Sequence, residues 1–437
     1  MKYKQYPSYK DSGIQWVGDI PEYWISIRAK WLFVRKQRPI RNTDDIVTAF
    51  RDGMVTLRKN RRTSGFTNAI HEHGYQGIRS GDLVIHAMDA FAGAIGVSDS
   101  DGKSTPVYSV CVPRNSHRVY TKYYGVLLRT MSERKYIEAL SKGIRERSTE
   151  FRFNEFSVLN LPLPPLSDQK SIANYLDKAT TKIDTLIEKQ TKLIELLKEK
   201  RQAVISSAVT RGLDASVPMK CSGVEWLGEI PEHWGTTKIK YIVSVPITDG
   251  PHETPEFLDE GVPFISAESV SKGYINFDKK RGHISIEDDR KYSLKYSPKL
   301  YDIYMVKSGA TTGVSAIVET NIKFNIWSPL AVFRCGSKTE PYFALNFIRS
   351  RNFIEAIELN WSFGTQQNIG MSVIENLSIS MPPTQEQKVI ANYLEKATSK
   401  IDNLITKSTQ AVVLLKEKRT ALISAAVTGK IDVRDAA

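Results

Sequence analysis

The chain of 437 residues contains two segments that each occur twice, and this duplication constrains its fold more than any other feature. Ser12–Trp24 (SGIQWVGDIPEYW) returns as Ser222–Trp234 (SGVEWLGEIPEHW). Gln169–Asp184 (QKSIANYLDKATTKID) returns as Gln387–Asp402 (QKVIANYLEKATSKID). The segments between these matched blocks share almost nothing. A chain that duplicates its frame and varies its inserts is predicted to recognise two different targets at a fixed separation.

Each half follows one order: an entry block rich in Trp, Gly and Pro, a variable segment, and a long periodic segment. In the variable segments, short β-branched and aromatic runs alternate with Gly, Pro, Asn and Ser, which predicts mixed α/β domains with short strands. The predicted strands are Asp82–Ile85, Val107–Val112, Val262–Ile265 and Ile303–Val306, and the predicted helices are Tyr123–Gly143 and Tyr342–Asn360. The fold class is therefore α+β with a pseudo-two-fold internal repeat, and the predicted domains are 1–163, 164–212, 213–381 and 382–437.

Apolar residues in the periodic segments recur in alternating steps of four and three. The positions are Ile172, Leu176, Ala179, Ile183, Leu186, Gln190, Leu193, Leu197, Lys200 and Val204 in the first segment, and Ile390, Leu394, Ala397, Ile401, Leu404, Ser408, Ala411, Leu415, Lys418 and Leu422 in the second. This 3.5-residue period predicts a coiled-coil seam. Pro-Pro pairs precede both segments, Thr384 with Gln387 fits a capping box, and neither segment contains Gly or Pro before Gly212 and Gly429. Each helix should span about 40 residues, roughly 60 Å.

Two helices with the same seam in one chain are expected to pack together. Polar Gln190 and Ser408 occupy equivalent seam positions, and a polar seam residue commonly fixes register. Antiparallel packing would place the two variable domains at opposite ends of a rod, whereas parallel packing would crowd them, so we favour the antiparallel arrangement. The alternative is a pair of amphipathic helices on a globular core, which leaves the matching steps unexplained.

Composition predicts a soluble cytoplasmic protein with a polyanionic partner. Hydrophobic residues make up 41% of the chain, the three cysteines are scattered, and no run is apolar enough for a membrane span. The net charge is +13, and residues 1–212 carry all of it, with 35 Lys and Arg against 22 Asp and Glu. A basic excess favours nucleic acid because each neutralised phosphate releases condensed counterions. The first half should therefore supply most of the salt-dependent affinity, and the second half mainly sequence discrimination.

No pattern in the sequence indicates catalysis. Gly96 to Ser104 resembles a phosphate-binding loop, but five residues separate the two glycines where four are needed, and Pro106 blocks the helix that should follow. His71 and His73 alternate with the wrong period for a helical zinc motif. The chain is therefore predicted to bind rather than to catalyse.

The repeated blocks closely resemble the specificity subunit of type I restriction-modification systems. The resemblance rests on Ser-Gly-x-x-Trp-x-Gly-x-Ile-Pro-x-x-Trp in both entry blocks, and on PPLSDQKSIANYLD (164–177) with PPTQEQKVIANYLE (382–395). It implies that the variable segments are target recognition domains and that the repeated helices form an antiparallel coiled coil. It also implies a bipartite asymmetric site on double-stranded DNA, two methyltransferase subunits and ATP-driven restriction subunits. S-adenosylmethionine, ATP and Mg²⁺ would then lie on those partners, with no cofactor in this chain, and the modification would be N6-methylation of adenine.

Candidate DNA contacts in the first variable domain are basic. The stronger cluster is Arg58, Lys59, Asn60, Arg61, Arg62 and Thr63, because no acidic residue occurs from Gly53 to His71 and Gly65 suggests an exposed loop. Arg or Lys can bridge guanine O6 and N7, and Asn can pair with adenine. The second cluster is Arg145, Arg147 and Ser148. A solvated basic loop remains the alternative for both clusters.

The second variable domain is neutral, so its contacts should rely on neutral donors. The candidates are His252, Thr254, Lys307, Ser308, Thr311, Thr312, Gln366, Gln367 and Asn368. Side-chain amides such as Gln366, Gln367 and Asn368 can read adenine N6 and N7. Turns that cap strands are an equally good interpretation of these glycine-punctuated stretches.

The charged outer faces of the two periodic segments are candidates for partner binding. These residues are Lys198, Glu199, Lys200 and Arg201, repeated as Lys416, Glu417, Lys418 and Arg419. Identity at outward positions suggests that both helices bind the same partner, once each, although a solvated surface is the default. Two rival functions remain: a coiled-coil scaffold without nucleic-acid specificity, and a DNA-modifying enzyme with an unrecognised active site.

Overall fold

The computed structural model describes residues 3–61, 64, 72–140, 150–360, 362–363 and 367–436. The chain divides into two compact units. Unit 1 comprises Met1–Gln190 and Gln410–Ala437, and unit 2 comprises Thr191–Thr409. Among the described residues, no helix combines the length and apolar character needed to cross a membrane.

Unit 1 consists of short strands and helices around an antiparallel sheet. Its strands are β1 (Tyr9–Asp11), β2 (Asp19–Pro21), β3 (Ile25–Arg28), β4 (Phe33–Arg35), β5 (Val47–Ala49), β6 (Val55–Leu57), β7 (Gln76–Ile78), β8 (Leu83–His86), β9 (Ile95–Val97), β10 (Gly102–Ser104), β11 (Tyr108–Pro113) and β12 (Asn160–Leu163). Its short helices are α1 (Ala29–Leu32), α2 (Thr121–Glu133), α3 (Tyr136–Leu140) and α4 (Phe153–Ser157), with 3-10 turns at Arg58–Asn60, Ala90–Ala92 and Arg434–Ala436. The long helix α5 (Leu166–Arg211) begins here and ends in unit 2.

Unit 2 has the same kind of organisation. Its strands are β13 (Met219–Cys221), β14 (Glu229–Pro231), β15 (Gly235–Lys238), β16 (Thr248–Asp249), β17 (Val262–Ile265), β18 (Gly282–Ile284), β19 (Ile303–Val306), β20 (Ser315–Ile317), β21 (Asn325–Ile326), β22 (Leu330–Phe333), β23 (Ser362–Phe363), β24 (Gln367–Asn368) and β25 (Ser378–Met381). Its short helices are α6 (Ala267–Val270), α7 (Ile286–Ser293), α8 (Pro341–Ile348), α9 (Arg351–Asn360) and α10 (Met371–Asn376), with 3-10 turns at Ile239–Tyr241 and Phe277–Lys279. The second long helix, α11 (Thr384–Val427), begins in unit 2 and ends in unit 1.

The two variable segments share one sheet although they share almost no sequence. The order is β4-β11-β8-β9 in unit 1 and β16-β22-β19-β20 in unit 2, with every pair antiparallel. The register also matches at the edge, where Leu83 pairs with Val97 and Ile303 pairs with Ile317. The four strands predicted from sequence are confirmed to within one residue. Buried apolar side chains in β8, β11, β19 and β22 therefore specify the shared sheet, while the loops vary.

Each entry block forms the same small hairpin, β1-β2 in unit 1 and β13-β14 in unit 2. The connecting turn needs a left-handed backbone at Gly18 (φ 68°) and Gly228 (φ 67°), which glycine adopts without steric cost. The tryptophans at the ends of the blocks, Trp24 and Trp234, are fully buried or nearly so. The repeated motif thus encodes a turn followed by an aromatic anchor for the core.

The long helices run antiparallel within each unit. In unit 1 the beginning of α5 and the end of α11 share a hydrophobic core, and Asp184 receives two hydrogen bonds from Arg419 at 2.8 and 3.2 Å. In unit 2 the end of α5 packs with the beginning of α11, and Asp402 accepts a hydrogen bond from Arg201 at 2.8 Å. Asp184 and Asp402 occupy equivalent repeat positions, as do Arg201 and Arg419. The predicted antiparallel arrangement is confirmed in both units.

The period of the buried face differs from the predicted 3.5 residues. The inward positions are Ile172, Leu176, Ala179, Ile183, Ile187, Gln190, Ile194, Leu197, Arg201, Val204 and Ala208 in α5, and Ile390, Leu394, Ala397, Ile401, Ile405, Ser408, Val412, Leu415, Arg419, Leu422 and Ala426 in α11. Five predicted seam residues are instead exposed: Leu186, Leu193, Lys200, Leu404 and Lys418. Both faces advance 36 residues in ten steps. The inward face therefore repeats every 3.6 residues on average, and several inward positions lie one residue beyond the predicted ones while the predicted antiparallel pairing is kept.

A buried glutamine, rather than the predicted capping box, secures the start of each long helix. Gln169 donates to the carbonyls of Arg118 and Pro164 and accepts from the Tyr120 backbone N–H, each at 2.8 Å. Gln387 makes the equivalent three bonds, donating to the Lys338 and Pro382 carbonyls and accepting from the Glu340 N–H. Thr384 is the first helical residue, and its hydroxyl donates to the Lys338 carbonyl. The motif glutamine thus ties each helix to the loop that precedes α2 or α8.

Two predicted helices are each broken in two. Lys135 separates α2 from α3 with a left-handed φ of 59°, which no long helix can accommodate, and Gly143 lies outside the described residues. In unit 2, α8 ends at Ile348, and the hydroxyl of Ser350 caps the next helix by accepting a hydrogen bond from the Phe353 N–H. Arg349, between the two helices, donates its side chain to the carbonyls of Gly273 and Ser315. Sequence periodicity does not reveal either break.

We expect Gln169→Ala and Gln387→Ala each to lower the free energy of unfolding by about 2–4 kcal/mol, because each leaves two carbonyls and one N–H unpaired in the interior. Urea denaturation followed by circular dichroism measures this. Lys182→Ala, at an exposed position of the same helix, serves as the control and should leave the midpoint unchanged. An unchanged midpoint for both glutamine variants would contradict the anchoring role.

Candidate nucleic-acid interface

Two stretches that sequence analysis selected separately in unit 2 lie side by side at one end of the sheet. The loop after β19 meets β24: the Gly309 N–H donates to the Gln367 carbonyl, and the Ile369 N–H donates to the Lys307 carbonyl, both at 2.9 Å. Ser308 and Asn368 form an antiparallel bridge between these bonds. Gln367 and Asn368 are exposed, so their amides are accessible beside this loop. Backbone pairing thus brings together residues about 60 positions apart.

A third predicted stretch joins this cluster through a buried carboxylate. Asp249 is fully buried at the end of β16, and its Oδ2 lies 3.3 Å from Lys307 Nζ and 3.0 Å from His252 Nε2. Its Oδ1 accepts a hydrogen bond from Lys295 Nζ at 2.5 Å. Sequence analysis assigned no role to Asp249 or Lys295, because nothing along the chain indicates that they meet.

Burial opposes ionisation of Asp249, but the hydrogen bond and charge of Lys295, followed by the charges of Lys307 and His252, outweigh it and hold the pKa of this carboxyl below its usual range. The carboxylate is therefore ionised at neutral pH and fixes the position of Lys307. A fixed lysine head beside exposed amides can present donors to an acceptor edge at defined positions.

A cavity of about 360 Å³ adjoins the cluster. Asp249, His252, Lys295 and Asn325 line part of it, and Lys291 and Tyr292 of α7 line another part. Lys291 pairs with Glu253 at 2.5 Å, so the rim contains both signs of charge. This surface is suited to a ligand that carries both negative groups and hydrogen-bonding edges.

The remaining predicted residues of unit 2 shape the same loop. Thr312 Oγ1 donates to the Gly309 carbonyl at 2.7 Å, and the Thr311 carbonyl accepts from the Val314 N–H at 3.1 Å. Thr254 is exposed near His252 in sequence. Gln366 lies outside the described residues. Thr311 and Thr312 therefore belong to the turn itself, which is the interpretation that sequence analysis left open.

In unit 1 the predicted basic cluster is ion-paired within the chain. Lys59 Nζ lies 2.5 Å from Asp45, and Arg61 lies 2.6 Å from Asp52, although residues 53–71 contain no acidic side chain. The acidic partners come from residues that precede β5 and β6. Exposed pairs of this kind contribute little to stability, so phosphate oxygens could replace the carboxylates.

The other members of the cluster bond to neutral groups. Arg58 Nε donates to Thr48 Oγ1 at 3.3 Å, and Asn60 Nδ2 donates to Thr56 Oγ1 at 2.8 Å. Both bonds anchor the 3-10 turn that follows β6. Arg62, Thr63, Arg145, Arg147 and Ser148 lie outside the described residues.

Unit 1 has a loop in the place of the unit 2 candidate loop, and sequence analysis missed it. The Phe151 N–H donates to the Ala87 carbonyl at 2.9 Å, as the Ile369 N–H donates to that of Lys307. The loop after β8 closes at Gly93 (φ 96°), and the loop after β19 closes at Gly313 (φ 92°). It contains exposed Met88 and half-buried Asp89, and Asp89 pairs with Arg51 at 2.9 Å. The only sequence signal was the glycine spacing, since the side chains differ.

The predicted partner-binding residues divide into two groups. Arg201 and Arg419 bind the opposite long helix through Asp402 and Asp184, so they hold the helix pair together. The exposed residues are Lys198, Glu199, Lys200, Lys416, Glu417 and Lys418. Four leucines of the long helices are also exposed. Leu186 and Leu404, which were predicted to lie in the seam, are 47% and 50% exposed, and Leu196 and Leu414, which were not predicted, are 49% and 63% exposed. Leu186 is equivalent to Leu404 in the repeat, and Leu196 is equivalent to Leu414. Unit 1 therefore contains exposed Leu186 and Leu414, and unit 2 contains their equivalents Leu404 and Leu196.

Comparison with known proteins gives one consistent picture. Residues 231–413 match the family model described as the type I restriction modification DNA specificity domain. The type I restriction enzyme MjaVIII specificity subunit of Methanocaldococcus jannaschii is 27% identical over 292 residues, covering 64% of each chain. The EcoBI specificity subunit of Escherichia coli is 24% identical over 280 residues, covering 62% of this chain and 58% of that subunit. The matched region therefore spans less than two thirds of either relative.

Solved structures share the fold across nearly the whole chain. A chain from a study of complex assembly and conformational transition of the type I R-M system superposes with a TM-score of 0.66 at 16% identity, covering 93% of this chain and 98% of that one. The HsdS subunit from Thermoanaerobacter tengcongensis gives a TM-score of 0.54 at 15% identity, covering 94% and 98%.

We expect Asp249→Asn to destabilise unit 2 by about 3 kcal/mol at neutral pH, because Lys307 and Lys295 would then face a neutral amide. The folded-state pKa of Asp249 is lowered, so its contribution is complete above the ordinary Asp value, near 4, and fades as the pH falls below it. The difference between wild type and variant should therefore shrink in acid. Chemical denaturation between pH 3 and 7 measures it, with Glu253→Gln at an exposed pair as control. A pH-independent difference would contradict this assignment.

Proposed function

Because the chain belongs to the family of type I restriction-modification specificity subunits, we propose that it reads a two-part DNA sequence and carries no catalytic site of its own. Each unit would read one part. The observation that carries this proposal is the pair of sheets with the same strand order and unrelated loops at the same end. Identical scaffolds with different loops are what two different half-sites require.

The unit 2 interface supplies the chemistry for direct readout. The amides of Gln367 and Asn368 can form paired hydrogen bonds with the N6 and N7 edge of adenine in the major groove. Lys307, fixed by Asp249, can donate to guanine or to a phosphate. In unit 1 the corresponding groups are Met88, Asp89 and Arg51, together with Lys59 and Arg61. On binding, Arg51, Lys59 and Arg61 would leave their carboxylate partners and pair with DNA phosphates or bases instead.

Catalysis would come from partner subunits. One methyltransferase subunit would bind each unit and methylate adenine N6 with S-adenosylmethionine, and restriction subunits would use ATP and Mg²⁺. The exposed pairs Leu186/Leu404 and Leu196/Leu414, flanked by Lys198–Lys200 and Lys416–Lys418, support this proposal because each unit presents the same apolar surface. A scaffold that bound no DNA would need neither the paired sheets nor their divergent loops.

The decisive experiment maps methylated adenines after the chain is expressed with its cognate methyltransferase subunit. We expect a two-part sequence with an unspecified spacer, and we expect duplexes that carry it to outcompete random duplexes. Gln367→Ala should then relax the unit 2 half-site at one position by about 1–3 kcal/mol, because a base contact is lost, and leave the unit 1 half-site unchanged.

Val389→Ala, at an exposed position of α11 in unit 2, is the control for Gln367→Ala. Equal weakening of every sequence would mean that Gln367 contacts the backbone. Absence of any preferred duplex for the assembled wild-type complex would reject the proposed function.

Leu186→Asp and Leu404→Asp should each weaken binding of the methyltransferase subunit without changing the stability of the chain alone, because both side chains face outward. The adjacent residue gives a matched contrast: Ile187 packs against the unit 1 core, and Ile187→Ala should cost about 1–2 kcal/mol of stability. Calorimetric titration and thermal unfolding measure the two effects. A loss of stability in the two leucine variants would contradict this prediction and would mean that Leu186 and Leu404 lie in the helix seam.

A further inference from the structure

An exposed aromatic ring occupies the same position in both units. Trp31 is 63% exposed in unit 1, and Tyr241 is 72% exposed in unit 2. Each follows a lysine whose ammonium group lies over its ring, Lys30 at 5.4 Å and Lys240 at 5.3 Å from the ring centroid. Large aromatic side chains are usually mostly buried, so two such rings at equivalent positions call for a partner.

The backbone beneath the two rings is held in the same way. β3 pairs with β12, and β15 pairs with β25, with the same pattern of exposed and half-buried residues along β3 and β15. The Ala29 N–H donates to the Leu159 carbonyl at 2.8 Å, and the Ile239 N–H donates to the Leu377 carbonyl at 2.9 Å. Ala29 and Ile239 are buried. The rings therefore project from a rigid part of the frame rather than from the variable loops.

Both surfaces carry positive charge. Arg28 and Lys30 flank the ring in unit 1, and Lys238 and Lys240 flank the ring in unit 2. Lys238 Nζ and Lys240 Nζ lie 3.4 and 3.1 Å from the side-chain oxygen of Asn376. Because Asn376 is neutral, this contact does not neutralise the charge of either lysine. A matching surface would therefore combine an apolar pocket with a rim of carboxylates.

The rings lie beyond the end of the sheet that is opposite to the candidate DNA interface. In unit 2, β22 begins at Leu330, which pairs with Val306 beside the interface loop. Beyond the other end of β22, Cys335 pairs with Val243, and Val243 lies two residues after Tyr241 in the sequence. In unit 1, β11 likewise begins opposite His86 and ends at Pro113 opposite Phe33, two residues after Trp31. DNA bound at the interface loops would not contact these rings, which favours a protein partner.

We propose that Lys30–Trp31 and Lys240–Tyr241 anchor a protein partner that binds once to each unit and presents an apolar pocket rimmed by carboxylates. The inference rests on the proposed function, in which one methyltransferase subunit binds each unit, and adds a contact at the base of the reading domain to the contacts along the helices. Trp and Tyr are favoured as interface anchors because they bury much area at small entropic cost. The adjacent ammonium groups would pair with the rim carboxylates.

The test uses the full chain with its cognate methyltransferase subunit in calorimetric titrations. Trp31→Ala should weaken one of the two binding events by about tenfold or more, Tyr241→Ala should weaken the other, and the double variant should weaken both. Lys30→Glu and Lys240→Glu should act in the same direction and lessen the salt dependence of assembly. Trp31→Tyr and Tyr241→Trp should restore binding, and Leu294→Ala is the exposed apolar control.

The outcomes separate this inference from the proposed function. At saturating methyltransferase subunit, all variants should bind the target duplex as wild type does, and all should unfold at the wild-type temperature. Unchanged assembly of the double variant overturns the inference and leaves the proposed function intact. Weakened DNA binding with unchanged assembly overturns it in favour of a DNA contact. Failure of wild type to bind the methyltransferase subunit rejects the proposed function itself.

Discussion

The structure depends on the antiparallel pairing of the beginning of each long helix with the end of the other. In both units this pairing is fixed by one buried apolar face and by one Arg–Asp contact at equivalent positions, Asp184 with Arg419 and Asp402 with Arg201. Where each helix ends, a glycine meets the entry-block tryptophan. A Cβ on Gly429 would lie 3.0 Å from Trp24, and one on Gly212 would lie 3.3 Å from Trp234. The repeated motifs therefore encode the contacts that close each unit.

The frame was predictable because its signals are local and duplicated. Strand positions such as Val262–Ile265 and the existence of both long helices follow from hydrophobic patterning. The exact inward face of each long helix could not be predicted, because steps of four and three residues fit both a 3.5-residue and a 3.6-residue period over short stretches. The partial burial of Ile187, Ile194 and Ile405, in place of Leu186, Leu193 and Leu404, shows which positions face inward. The roles of Gln169 and Gln387 were also hidden, since their partners lie in distant loops.

The candidate interface was predictable only in part, because its geometry arises from contacts distant in sequence. The stretches around His252, Lys307 and Gln367 were selected separately, and backbone pairing and Asp249 unite them. In unit 1, sequence counting identified the basic turn but not the acidic partners Asp45 and Asp52. Net charge along a segment therefore overstates the charge available to a polyanion. The two units would use different strategies, exchangeable surface pairs in one and a lysine fixed by a buried carboxylate in the other.

The division of the chain also sets an order for its folding. Unit 2 is one continuous stretch, so it can fold as soon as its residues leave the ribosome. Unit 1 must wait, because Leu422, Ala426, Val427 and Val433 complete the core that contains Ile14 and Trp24. During translation the first unit would hold exposed apolar surface until the last helical turns are made. Truncation before Leu422 would therefore damage unit 1, although most of its residues precede unit 2, and would spare unit 2.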